Sequence, residues 1–230
     1  MDTVKDVLQN TIASIMNLRR TINGPVHALI WGAWGTGKTY VAQELAKSYE
    51  HVFYIKVPDG DISKGRLLRL IGFAIGSGAR HSYETTLDLL ISHCEFYSLN
   101  PILILDEAQR LLRKPLLLNE LKDLAEINSL NFSYIMLGDK TIPKLINTYP
   151  HSIHKRILIR KELDNINPKT VAEISKEYKL SVNAEEIAKL AKQRGWTTID
   201  VVFVIQVAKR MGLTELSVEQ ALQIAQSLGR

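Results

Sequence analysis

Apolar positions in the first segment recur at helical spacing: Val4, Leu8, Ile12, Ile15 and Leu18, with Asp2 or Thr3 placed to cap them. A turn at Asn23-Gly24-Pro25 ends that helix. The pattern then changes period. Residues 26–31 form a short apolar run of strand length that leads straight into glycines. Residues 38–48 return to helical spacing, with Val41, Leu45 and Ala46 on one face. Residues 51–57 alternate as a strand does, and Pro58-Asp59-Gly60 breaks them. Helices are predicted over 63–77 and 83–98, parted by Gly76-Ser77-Gly78. Residues 101–105 are wholly apolar and end in Asp106-Glu107, the pattern of a parallel strand buried on both faces. A helix over 115–129, a strand over 132–137, a short helix over 141–148 and a strand over 157–159 follow.

Strands that alternate with helices call for a parallel sheet covered on both sides, so a three-layer α/β domain is expected over residues 1–164. After Asp164 the strand signals stop. Asn167-Pro168 reads as a cap followed by a first-turn proline. Asn183–Glu186 and Ser217–Gln220 resemble capping boxes. Ile187, Leu190 and Ala191 line one helical face, and Val218, Ala221, Leu222 and Ala225 another, which predicts a small all-helical domain over 165–230.

Composition narrows the class only a little. Apolar residues make up 46% and charged residues 23% of the chain, ordinary for a globular protein. The net charge of +5 leans towards acidic partners without naming one. The single cysteine, Cys94, excludes an internal disulfide framework and fits a reducing compartment. No apolar run approaches the roughly 20 residues of a membrane span and no signal segment opens the chain, so a cytoplasmic protein is expected.

The chemistry is concentrated in two places. Gly32-Ala33-Trp34-Gly35-Thr36-Gly37-Lys38-Thr39 fits the pattern G-x-x-x-x-G-K-[ST] in full, between a predicted strand and a predicted helix. Glycines let successive backbone N–H groups turn towards a β-phosphate, and the following helix adds its N-terminal partial charge. Lys38 would reach the β- and γ-phosphates of ATP, and Thr39 would offer its hydroxyl to Mg²⁺. The second place is Asp106-Glu107. Asp106, at the tip of a buried strand, would hold the metal, and Glu107 would orient or deprotonate the attacking water.

These motifs and the helical C-terminal part together resemble the AAA+ ATPases: a P-loop NTPase core with a parallel sheet, plus a helical lid. In that family a polar residue ending the next strand senses the γ-phosphate. Here the position falls at Gly138-Asp139, and Asp139 departs from the usual Asn or Thr. The resemblance also implies an arginine finger in the turn His154-Lys155-Arg156, with Arg156 acting on the neighbouring subunit's ATP. The active form would then be a homo-oligomer, as a ring or a helical filament. The lid arginine usual after a helix-starting glycine is missing at Gly195, where Arg194 lies just before it.

Residues 133–145 and the turn at Arg156 are further similar to a transposition group that includes the phage Mu transposition protein B and the TniB/TnsC-like regulators. That resemblance implies duplex DNA as a partner, a transposase as the protein served, and target selection or transposase activation as the task. It also brings forward Lys64, Arg66 and Arg69 as phosphate contacts, against the alternative of a solvated helix face. Arg110, Arg113 and Lys114 read as a subunit contact or a solvated face. A loader of a replicative helicase or of a clamp is the first rival function, and an initiator-type origin binder the second.

Overall fold

A computed structural model describes residues 2–148, 155–164 and 166–228, the side chain of Thr148 excepted. Five strands form the main sheet: β1 (His27–Gly32), β2 (Val52–Lys56), β3 (Ile102–Asp106), β4 (Ser133–Gly138) and β5 (Ile157–Leu163), in the order β2-β3-β4-β1-β5. The β1/β4, β2/β3 and β3/β4 pairs are parallel. Parallel pairing requires crossovers, and the helices supply them: α2 (Lys38–Ser48), α3 (Lys64–Ile75), α4 (Tyr83–Phe96), a short α5 (Gln109–Leu112), α6 (Pro115–Glu126) and α7 (Ile142–Thr148), after an initial α1 (Val4–Ile22). The three-layer α/β P-loop fold expected from the alternation is the one observed.

Every residue of β3 and β4 is buried, as their apolar runs 102–105 and 134–137 demand, and the polar residues at their ends, Asp106 and Ser133, are buried with them. Leu103, Leu105, Tyr134 and Met136 meet Leu67, Leu68, Ile71 and Leu90 of α3 and α4 and Leu118 and Leu121 of α6 in one core. Register places Asp106 beside Leu137, and Gly138 beside Trp31, so β1, β3 and β4 release their carboxyl ends at one edge of the sheet. Ligand-binding loops of open parallel sheets gather at that edge. At the opposite edge Arg19 of α1 donates to Ser133 Oγ (2.6 Å) and to the carbonyls of Asn100, Pro101 and Asn131 (2.7 Å each). Burial pushes its guanidinium down to about 10.

The helices beyond β5 are α8 (Pro168–Glu177), α9 (Ala184–Arg194), α10 (Thr198–Arg210) and α11 (Val218–Ser227). Each begins at a side-chain cap: Asn167, Asn183, Thr197 and Ser217. Ser217 and Gln220 form the full reciprocal box, as do Thr197 and Asp200. β5 extends beyond the predicted 157–159 to Leu163, and strand structure does not stop at Asp164: a parallel two-residue ladder of β6 (Ser181–Val182) with β7 (Glu215–Leu216) joins the loops between these helices. Elements that short leave no periodicity to read.

The chain divides into two compact units. One comprises Leu8–Trp31 and Thr39–Glu162; the other comprises Met1–Val7, Gly32–Lys38 and Leu163–Arg230, with its own core around Val171, Ile187, Trp196, Val201, Ile205 and Ala221. No described helix is long and apolar enough to cross a membrane.

Candidate nucleotide site

The loop at 32–38 is shaped by its own backbone and by its unit. Gly35 and Gly37 take φ of +78° and +85°, in the left-handed region that glycine enters without a Cβ penalty. Gly35 has a second reason to be glycine: a Cβ there would lie 2.8 Å from Thr197 Cβ, and its carbonyl accepts from Ile199 N–H at 3.3 Å. Lys38 Nζ arches over the loop and donates to the carbonyls of Gly32 (3.0 Å) and Ala33 (2.7 Å) and to Thr36 Oγ1 (3.1 Å). A cation held in a ring of loop oxygens, beside backbone N–H groups, suits an anionic ligand that draws the ammonium across. Trp34 is 81% exposed.

In the other unit, Thr39 Oγ1 donates to Asp106 Oδ2 at 2.7 Å. Asp106 is 1% exposed and also accepts from Tyr54 OH (2.8 Å) and Glu107 N–H (3.0 Å). Burial first, and this bond to Asp106 next, push the Tyr54 phenol up, so it remains a donor. A hydroxyl and a carboxylate already within hydrogen-bond reach form an all-oxygen donor pair, the kind Mg²⁺ prefers.

Glu107 has φ of +59°, a left-handed backbone that costs a non-glycine residue about 1 kcal/mol. The turn is held open by Ala108 N–H donating to the Leu137 carbonyl (2.9 Å). Glu107 Oε2 accepts from Gln109 Nε2 at 2.7 Å, with Arg110 3.7 Å away. Strain of this kind persists where the surroundings fix it and recurs at functional sites.

The remaining expected residues fall elsewhere. Asp139 Oδ1 accepts from Thr141 N–H (2.8 Å) and Thr141 Oγ1 (2.5 Å), so it closes the turn that precedes α7. Lys140 pairs with Glu162 (3.7 Å). Arg156 pairs with Glu126 at 2.9 Å in a cleft of about 620 Å³ lined by Asn23, Pro25, Asn128 and Asn131 at the sheet's amino edge. His154 lies outside the described residues.

Of the basic cluster, Lys64 is engaged by the buried Glu120 (2.9 Å), which also accepts from Tyr83 OH, while Arg66 is exposed and Arg69 half-buried. Arg110 and Lys114 are half-buried and engaged within the chain. Arg110 donates to the Val57 carbonyl and pairs with Asp59 (2.7 Å), and Lys114 pairs with Asp61. Sequence inspection passed over Tyr54 and Gln109. Tyr54 gave one signal, its place in a strand ending near Asp106, but only the strand order makes β2 the neighbour of β3.

An AAA domain model matches residues 22–146, over half of the chain and all of the stretch from β1 to β4. The chain belongs to the AAA domain family. This AAA domain is also similar in fold to solved structures of low identity. The ORC2 protein of Aeropyrum pernix in ADPNP–ADP complexes is 14% identical with a TM-score of 0.68, over 95% of this chain and 67% of that one. The Aeropyrum pernix ORC1 protein in complex with DNA is 17% identical at 0.60, over 99% and 66%. The Thermotoga maritima RuvB Holliday junction branch migration motor is 14% identical at 0.58, over 97% and 69%. This AAA domain thus spans about two thirds of the length of these structures. No curated protein sequence matches it significantly.

Proposed function

We propose that this AAA domain is a Mg²⁺-dependent ATPase, slow by itself, that assembles on duplex DNA. The observation that carries the reading is the 2.7 Å hydrogen bond between Thr39 and the buried Asp106, which brings a hydroxyl of the first motif and a carboxylate of the second within reach of one metal ion. Mg²⁺ would be held by Thr39 and Asp106, where it would neutralise charge on the phosphates. Lys38 exchanges its loop carbonyls for phosphate oxygens. Glu107 accepts a proton from, or orients, the attacking water. Arg156 acts on a neighbouring copy's nucleotide, so each site is completed only in a ring or filament.

The proposal extends to DNA transposition, with this chain as a target selector and transposase activator. Its support is the similarity of residues 133–145 to that group. A second reading, a motor or loader acting on DNA, draws support from the likeness to the RuvB motor. Electron microscopy with random duplex DNA and a non-hydrolysable ATP analogue separates them. ATP-dependent filaments favour the first, isolated rings the second, and no assembly at all removes both. For the chemistry itself, Glu107→Gln is expected to bind ATP with near-normal affinity and to lose about 100-fold or more in kcat. Full turnover by that variant would remove Glu107 from the mechanism.

A further inference from the structure

Beside Glu107 lies a side chain that the turnover described above does not use. Gln109 opens α5 and is 8% exposed. Its Nε2 donates to Glu107 Oε2 at 2.7 Å, whereas its Oε1 is buried and has no hydrogen-bond partner among the described residues. A carboxylate can only accept, so the amide must turn its nitrogen to Glu107, and the oxygen is left towards the tip of β4. The oxygen fits there because residue 138 is glycine: a Cβ on Gly138 would stand 2.2 Å from Oε1.

An orphaned buried carbonyl weakens a fold, and an apolar side chain of equal length would fill the same space without that cost. Stability alone therefore gives no reason for glutamine at this position. Arg110 does not replace it, since it stands 3.7 Å from Glu107 and is engaged by Asp59 and the Val57 carbonyl.

We propose that Gln109 is a positioning residue that fixes the Glu107 carboxylate for its work on the attacking water. The proposal rests on the reading of Glu107 given above. One carboxylate oxygen is tied to the amide, which leaves the other to meet the water. The geometry is set by the left-handed turn at Glu107 and by the space over Gly138.

The test is Gln109→Met, which keeps length and bulk but removes the N–H donor. Steady-state hydrolysis at saturating ATP and Mg²⁺, with and without duplex DNA, gives kcat; a fluorescent ATP analogue gives nucleotide affinity; a thermal melt gives Tm. The expected result is a kcat lowered about 10- to 100-fold, with nucleotide Kd within about two-fold and Tm equal or higher. Gly138→Ala is the second variant: its Cβ would crowd the Gln109 amide and also Ile142 Cδ1, at 2.5 Å, so it is expected to lower kcat in the same way and Tm besides, which Gln109→Met does not. Turnover within about two-fold of wild type in Gln109→Met, beside an inactive Glu107→Gln, would remove the positioning role and leave the ATPase reading standing. Full turnover in Glu107→Gln would end both the positioning role and the assignment of the attacking water to Glu107.

Discussion

His27 is fully buried in β1, and acid should find it. Its Nδ1 accepts the Tyr134 N–H at 3.1 Å, its ring stacks on Tyr134 with centroids 4.9 Å apart, and Nε2 has no partner among the described residues. Burial, and then the positive charges of Arg156 and Arg19, push the imidazole down to about 3. In the unfolded chain it titrates near 6.5. Above that pH neither state holds the proton. Below it the unfolded state binds a proton that the folded state refuses, so stability falls as pH drops from about 6.5 to about 3. The slope is about 1.4 kcal/mol per pH unit, which makes the loss between pH 7 and pH 5 about 2 kcal/mol. Urea unfolding followed by circular dichroism at pH 7, 6 and 5 measures it, with His27→Asn as the comparison. Asparagine retains an acceptor for the Tyr134 N–H and cannot titrate. Wild type should lose about 2 kcal/mol more than the variant over that range. Parallel curves would refute the assignment of the acid sensitivity to His27.

Arg19→Met removes a guanidinium that donates to four oxygens across the amino edge of the sheet, and should cost about 3 kcal/mol, read as a Tm lower by roughly 6–12 °C. Arg66→Ala with Arg69→Ala should weaken duplex binding and reduce the magnitude of the salt slope by about 2, whereas Lys64→Ala should chiefly lower Tm, because Lys64 neutralises the buried Glu120. An unchanged DNA affinity in the double variant would return those arginines to a solvated face. Arg156→Ala should leave ATP binding intact and lower DNA-stimulated turnover, and mixing it with Lys38→Ala should restore part of that turnover, since each copy then supplies what the other lacks. No recovery in the mixture would count against action between subunits.

The sheet was legible because buried parallel strands have to be apolar throughout, and residues 102–105 and 134–137 are. The glycine loop and Asp106-Glu107 were legible because phosphate and metal chemistry permits few substitutes at those spacings. Tyr54 and Gln109 were not. Each acts across a gap that strand order or backbone handedness creates, and neither has a local pattern. Lys64 shows the reverse difficulty. Its helical neighbours suggested a basic face, while its partner, Glu120, lies far along the chain on α6. The turn that Asp139 closes with Thr141 was hidden by its place at a strand end, where the sequence showed only a departure from the family's usual Asn or Thr. The β6–β7 ladder is too short to carry a period at all.

Glu107 bears on any attempt to harden this molecule against heat. Its backbone sits where glycine would rest easily and asparagine nearly so. A laboratory selection that rewards survival at high temperature alone would therefore favour Glu107→Gly or Glu107→Asn, for a gain of about 1 kcal/mol, and would discard the carboxylate to which the proposed function gives the attacking water. Thermal improvement of this chain has to be screened with turnover in the same tube, because under the proposed function the more robust residue at 107 and the working one are different residues.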